Sequence, residues 1–271
     1  MFRIEILKAH FNIMSEKILE KKLSEKGFLI QKSESKKSLS YINLFIKKSI
    51  LKHYKNDNLK KNFSFDKLHN FIEIDKLNSL RLKVISDLNN DPKFRQSYFR
   101  IAEKTLYNLV GNELSMQNNI NLSIQFPNDE SSLLPLHADT WSGDSPFEAV
   151  IWLPLVKCYK TKSMFILKQK KYENFLKVYK RKKIKSVSDL YKSIKKNTEF
   201  IKINYGNFLF FNQSLPHGNV VNETKETRIS LNCRFKGLFT PYAQKKLGSF
   251  FSPLKIKPVS KLALNYKFPG D

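Results

Sequence analysis

The sequence predicts an α+β protein in which a helical first part precedes an antiparallel jelly roll. Up to Gly111 the apolar residues recur at intervals of three and four, the mark of helices with one buried face. From Asn119 onward they alternate or come in short runs separated by turn formers, as strands do. With 271 residues, 41% of them hydrophobic and 22 of them Phe, the chain can bury one large core.

Met14 to Leu23 and Leu39 to Tyr54 carry the helical spacing. Gly27 stops the first of these, and Phe28-Leu29-Ile30 after it reads as an edge strand. Asp91-Pro92 supplies an N-cap with proline at the first helical position. The helix it opens is expected to run to about Val110, where Gly111 closes it in the left-handed conformation. Candidate strands follow at Asn119 to Phe126, Leu134 to Thr140, Phe147 to Val156, Met164 to Lys168, Phe200 to Tyr205, Phe208 to Asn212, His217 to Val221 and Arg228 to Phe235. Eight short strands suit a closed or double-sheeted antiparallel jelly roll.

Between the fourth and fifth strands, the Lys-rich stretch Tyr172 to Lys196 places Tyr172, Phe175, Leu176 and Tyr179 on one helical face, and Ser188 or Asp189 is expected to cap a second helix. Such an insertion either lies on the surface or shapes a substrate pocket. The tail from Thr240 to Asp271, with four prolines, reads as an extended arm packed on the core or on a second copy in a homodimer. The expected organisation is one domain over 1–271: a mainly helical part (1–115), a jelly-roll core (116–239) with a helical insertion (170–197), and a Pro-rich C-terminal arm (240–271).

Only seven of the 49 basic residues are arginine, and with 24 acidic residues the formal net charge is +25. Such a charge can serve nucleic acid, an anionic membrane or a phosphorylated substrate, yet the lysines are spread along the whole chain, as solvated faces are. Cys158 and Cys233 lie outside any Cys-x-x-Cys pattern, and no apolar segment follows Met1-Phe2-Arg3-Ile4-Glu5. No apolar run approaches the roughly 18 residues that span a bilayer. A cytoplasmic protein without a membrane span is expected.

The residues that carry chemistry begin at His137-Ala138-Asp139. Two residues apart on a strand or its fraying end point to one side, so an imidazole and a carboxylate can reach the same ion. A lone pair of this kind also serves as an N-cap or a hydrogen-bonded loop. His217, in Pro216-His217-Gly218 after the run Phe208-Leu209-Phe210-Phe211, is placed as a third ligand. Two imidazoles and a carboxylate on one face of a metal leave positions open for a cosubstrate and O₂, as non-haem Fe(II) chemistry requires. Arg228-Ile229-Ser230 then sets a guanidinium and a hydroxyl on one strand face, between apolar neighbours, a pairing suited to holding a carboxylate inside a barrel.

These residues resemble the Fe(II)/2-oxoglutarate-dependent dioxygenases of the phytanoyl-CoA dioxygenase superfamily, whose pattern is His-x-Asp, a distal His, and an Arg about ten residues later. The resemblance covers about Asn119 to Phe239 and implies a cupin-like double-stranded β-helix with N-terminal helices packed against it. The block Leu134-Pro135-Leu136-His137-Ala138-Asp139-Thr140-Trp141-Ser142-Gly143-Asp144-Ser145-Pro146-Phe147, with Trp152-Leu153-Pro154-Leu155 and Ser163-Met164, looks like the branch found in carbohydrate-biosynthesis clusters, including streptomycin-biosynthesis proteins.

What the resemblance implies is an Fe(II) held by His137, Asp139 and His217, with 2-oxoglutarate as cosubstrate chelated to it, its far carboxylate on Arg228 and Ser230, and O₂ as oxidant. Asp139 speaks for hydroxylation or desaturation, because halogenating relatives carry a small residue there. The expected substrate is a sugar, a sugar nucleotide or a related polar metabolite, phosphorylated or nucleotide-linked. Gln125 and Trp152 are candidates for cosubstrate contact or for barrel wall. Trp141, Ser142, Asp144 and Ser145 suit stacking on and hydrogen-bonding a sugar, or form a turn around Gly143 and Pro146.

Two other readings compete. Arg228 and Arg234, with five residues between them, echo the AlkB-type nucleic-acid demethylases, but the intervening Asn and Thr of that family are absent and His217 sits too close to Arg228. Nucleic acid is therefore not the expected partner. A non-catalytic basic jelly-roll module that binds carbohydrate or polyanion would not need all three ligands and the arginine.

Overall fold

A computed structural model describes residues 16–181 and 186–270. Met14, at the start of the first expected helix, lies outside the described residues; helix α1 is seen over 16–26. Gly27, at φ +79°, ends it, and β1 (Phe28–Lys32) follows as an edge strand. Helices α2 (Lys36–His53), α3 (Asp57–Lys61), α4 (Ile74–Asn89), α5 (Pro92–Arg100) and α6 (Glu103–Leu109) complete the helical part.

Asp91 caps α5 as its sequence predicts, accepting from the amides of Lys93 and Phe94. The expected single helix to Val110 is instead broken at Ile101 and Ala102, both fully buried. The break has a tertiary cause. Glu34, distant in sequence, accepts hydrogen bonds from the Lys104 and Thr105 amides at 2.6 and 3.0 Å and donates its own amide to the Ile101 carbonyl. A carboxylate at these unpaired amides starts a new helix, α6.

The strands are β2 (Leu114–Gln117), β3 (Asn121–Gln125), β4 (Glu148–Pro154), β5 (Phe165–Leu167), β6 (Thr198–Phe200), β7 (Asn207–Asn212), β8 (His217–Gly218), β9 (Arg228–Gly237) and β10 (Phe251–Lys255). They form a seven-stranded antiparallel sheet in the order β1-β7-β4-β9-β2-β10, with β3 also on β9, and a three-stranded sheet β6-β5-β8. One edge of the long β9 is thus shared: β3 pairs with Arg228 to Asn232 and β2 with Phe235 to Gly237. Between the two the ladder lapses, and Arg95 from α5 donates to the carbonyls left over, those of Met116, Gln117 and Asn118.

Strand alternation divides the large sheet into two faces. Ile229, Leu231, Cys233 and Phe235 of β9, with Ile151 and Leu153 of β4, lie in the main apolar core shared with the helices. Tyr98 of α5 donates to the Ile151 carbonyl at 2.7 Å, fastening that helix to β4. The other face of β9 presents Arg228, Ser230, Asn232 and Arg234 to a cavity.

The insertion folds as α7 (Tyr172–Arg181) and α8 (Val187–Ile194), the latter capped by Ser186 rather than Ser188 or Asp189. Phe175, Leu190 and Ile194 form a second apolar cluster with Phe165 and Leu167 of the small sheet. Among the described residues none of the insertion lines the cavity. The C-terminal arm is also more than an extended tail. It contributes β10 to the edge of the large sheet and ends in α9 (Pro258–Leu264).

Candidate metal centre

His137 and His217 are brought together by their own backbones, the amide of each donating to the carbonyl of the other at 2.8 and 2.7 Å. The imidazole centroids lie 4.3 Å apart. Each ring is set by the same local contact: its Nδ1 lies 2.8 Å from the carbonyl two residues earlier, that of Pro135 or Leu215. With Nδ1–H donating there, Nε2 keeps its lone pair for the cavity, the arrangement a metal requires.

Asp139 does not continue a strand. The expected strand Leu134 to Thr140 is a single bridge at His137 followed by a 3-10 turn, Asp139–Ser142, which Gly143 closes at φ +84°. The Asp139 amide donates to the Gln213 carbonyl at 3.1 Å, and its Oδ1 sits 3.4 Å from His137 Nε2 and 3.8 Å from His217 Nε2. One ligand atom from each of the three residues falls within 4.8 Å of the other two, close enough for one ion to touch all three.

The other carboxylate oxygen, Oδ2, is held by Arg234 Nη2 at 3.0 Å. Arg234 also donates Nε to Gln213 Oε1 at 3.0 Å, and that Nε lies 3.4 Å from Asp144 Oδ1. Burial opposes ionisation of Asp139, but the proximity of His137, His217 and Arg234 outweighs it and brings the carboxyl down to about 2. Burial holds His217 down to about 4, only partly offset by Asp139. At neutral pH the site therefore offers a carboxylate and a neutral buried imidazole. His137 is pulled the other way: burial lowers it, and the carboxylate of Asp139 and the carbonyl of Pro135 beside it favour its protonated form and raise it overall.

A cavity of about 460 Å³ opens onto this triad. Arg228 lines it, 4% exposed and, among the described residues, with no carboxylate within ion-pair distance; its Nη2 donates to Ser123 Oγ at 3.0 Å. Burial pushes this guanidinium down to about 10. Arg228 Nε, Ser230 Oγ and Gln125 Oε1 are all buried without a hydrogen-bond partner among the described residues. A buried cation beside unsatisfied polar atoms is costly unless an anion completes it.

The remaining candidates fall into two groups. Trp152, Ser142 and Asp144 line the cavity. Gln125 lies on β3 opposite Arg228, its Nε2 donating to the Val220 carbonyl at 2.9 Å, and does not line it. Trp141 turns outward, stacking on Phe175 and Tyr179 of α7 at 6.0 and 6.3 Å. The Ser145 hydroxyl donates to the Pro241 carbonyl at 2.7 Å. The turn around Gly143 thus directs two of the four residues Trp141, Ser142, Asp144 and Ser145 into the cavity and two away from it.

Arg234 in its clamping role, Lys245 and Phe250 were not among the residues expected here. Arg234 was legible in the polar alternation Arg228, Ser230, Asn232, Arg234. Lys245 and Phe250 were not, because the C-terminal arm folds back to deliver them to the cavity.

No family model and no curated protein matches the sequence. Solved structures do match. The apo form of ThoJ, a non-heme monooxygenase, superposes with a TM-score of 0.53 at 12% identity, over 88% of this chain and 84% of ThoJ. This chain has the fold of that monooxygenase. The nickel complex of ThoJ gives a TM-score of 0.50 over the same shares at 12% identity. EvdMO1 matches at 0.53 and 12% identity, over 80% of this chain and 48% of EvdMO1.

Proposed function

We propose that this chain is an Fe(II)/2-oxoglutarate-dependent oxygenase of the phytanoyl-CoA dioxygenase type, its two sheets forming the walls of a double-stranded β-helix. The observation that carries the reading is Arg228, a buried guanidinium with no counter-ion among the described residues, in the same cavity as a His-Asp-His cluster. A dicarboxylate that reaches both fits this pair of features. The fold shared with ThoJ, which is known as a nickel complex, is consistent with a divalent ion here.

On this reading His137, Asp139 and His217 hold Fe(II), while Arg228 and Ser230 hold the far carboxylate of 2-oxoglutarate. When bound, the metal and cosubstrate supply the oxidising power of O₂ for a substrate C–H bond. The chain's part is geometric and electrostatic. The backbone pair between His137 and His217 fixes both imidazoles, and Arg234 fixes Asp139. Trp152, Val150, Phe211 and Phe250 give the cavity apolar wall that limits water at the reacting centre. The motif around His137 to Phe147 favours a sugar, sugar nucleotide or related metabolite as substrate.

The test is conversion of 2-oxoglutarate to succinate by protein supplied with Fe(II) and O₂. Turnover that depends on Fe(II) and disappears in Asp139→Ala supports the reading. Turnover unchanged in Asp139→Ala contradicts it.

A further inference from the structure

The part of the cavity beside the C-terminal arm has charge that the metal and cosubstrate do not account for. Asp139, Asp144, Arg228, Arg234 and Lys245 all line the cavity. Arg234 is engaged by both aspartates, and Arg228 is assigned above to the cosubstrate. Lys245 remains. Among the described residues no carboxylate lies within ion-pair distance of it, although Asp144 is near enough to feel its charge, and its Nζ stands 5.1 Å from the centroid of the Phe250 ring. The Arg234 guanidinium carbon stands 6.0 Å from the centroid of the same ring.

The backbone around this lysine is fastened on both sides. The Gln244 amide donates to the Gly143 carbonyl at 3.0 Å, and the amides of Phe250 and Phe251 donate to the Lys246 carbonyl at 3.0 and 3.1 Å. Upstream, Lys236 Nζ reaches the carbonyls of Thr240 and Pro241 at 3.2 and 2.7 Å, and the Ser145 hydroxyl holds Pro241 as well. These contacts fix the backbone on either side of Lys245, and its side chain lines the cavity that also holds the triad.

We infer that Lys245 is an anion subsite for the substrate, receiving a phosphate or carboxylate group while the rest of the molecule lies between Phe250 and the triad. Lysine suits this as a compact charge with three donors. The inference rests on the oxygenase reading, since it takes Arg228 to be occupied by 2-oxoglutarate.

The test uses the full chain loaded with Co(II) and saturating 2-oxoglutarate, so that the metal relaxes nuclei bound nearby. Inorganic phosphate is followed by ³¹P relaxation and acetate by ¹³C relaxation, in wild type, Lys245→Met and Lys245→Arg. The expected result is saturable relaxation of at least one anion, weakened about tenfold or more in Lys245→Met and largely kept in Lys245→Arg, as loss of a charged hydrogen bond predicts. The stronger probe distinguishes a phosphate ester from a carboxylate substrate. Absence of saturable relaxation, or equal relaxation in Lys245→Met, overturns the subsite. Binding of 2-oxoglutarate to the Co(II) protein, read separately by titration calorimetry, shows whether a failure belongs to the subsite alone or to the oxygenase reading beneath it.

Discussion

Arg234 Nη2 lies 3.0 Å from Asp139 Oδ2, on the carboxylate oxygen opposite the one that faces the two imidazoles. The carboxylate is thereby divided between two tasks, one oxygen for the triad and one for its own orientation. Removing the partner that orients a ligand typically weakens metal binding by roughly 10- to 100-fold. Arg234→Leu is expected to lose Co(II) affinity by about that range, measured by competition with a chromophoric chelator. Wild-type affinity in the variant would show that the 3-10 turn alone holds Asp139.

The metal-free protein should lose stability on mild acidification through His217. Its folded value, about 4, is depressed below the ordinary 6.5. Between those values the unfolded chain takes up a proton that the folded chain refuses. The stabilisation is complete above 6.5 and declines as pH falls toward 4. The thermal midpoint of metal-free protein is expected to fall across that window in wild type and less steeply in His217→Gln. Parallel curves would place the acid sensitivity elsewhere.

Gly143 joins the metal turn to the C-terminal arm. Its φ of +84° disfavours a side chain, and a Cβ there would come within 2.2 Å of Gln244 Oε1. The Gln244 side chain can swing aside, whereas the backbone strain stays, so Gly143→Ala is expected to cost about 1 kcal/mol. Urea unfolding checks the magnitude. Faster proteolysis within 240–250 would show that the arm has loosened, and an unchanged cleavage pattern would show that Gln244 absorbed the clash.

Lys162 is a structural counterpart to Arg228, equally buried but fully paired. Its side chain is 0% exposed and its Nζ contacts Asp66 and Glu226, the latter at 2.7 Å. Both carboxylates are more than a third exposed, which tempers the loss when the lysine is removed. Lys162→Met should destabilise by about 1–2 kcal/mol in urea unfolding. A neutral result would mean that water satisfies the two carboxylates.

The triad was legible in the sequence because its spacing reports chemistry that a strand or a turn can equally present. His137 and Asp139 meet at one point although the expected strand there is a bridge and a 3-10 turn. The inward row Arg228 to Arg234 was legible because β9 is a long regular strand with one polar and one apolar face. What lay hidden depended on partners remote in sequence. Leu114–Gln117 is buried throughout and so shows no alternation. Strand β10 in the Pro-rich arm includes Pro253, which sits on the sheet edge beside a register shift, where a missing amide is tolerated. The break between α5 and α6 depends on Glu34, and Lys245 reaches the cavity because the arm is pinned to the turn at Gly143.

The central claim joins the triad to Arg228 through one dicarboxylate, and anaerobic addition of 2-oxoglutarate to Fe(II)-loaded protein tests it most directly. Chelation of the metal should produce a weak visible charge-transfer band in wild type. In Arg228→Met the band should need about tenfold or more additional 2-oxoglutarate, since a charged hydrogen-bonding partner is lost. No band in wild-type protein that has bound Fe(II), or a band whose 2-oxoglutarate dependence ignores Arg228, would contradict the account.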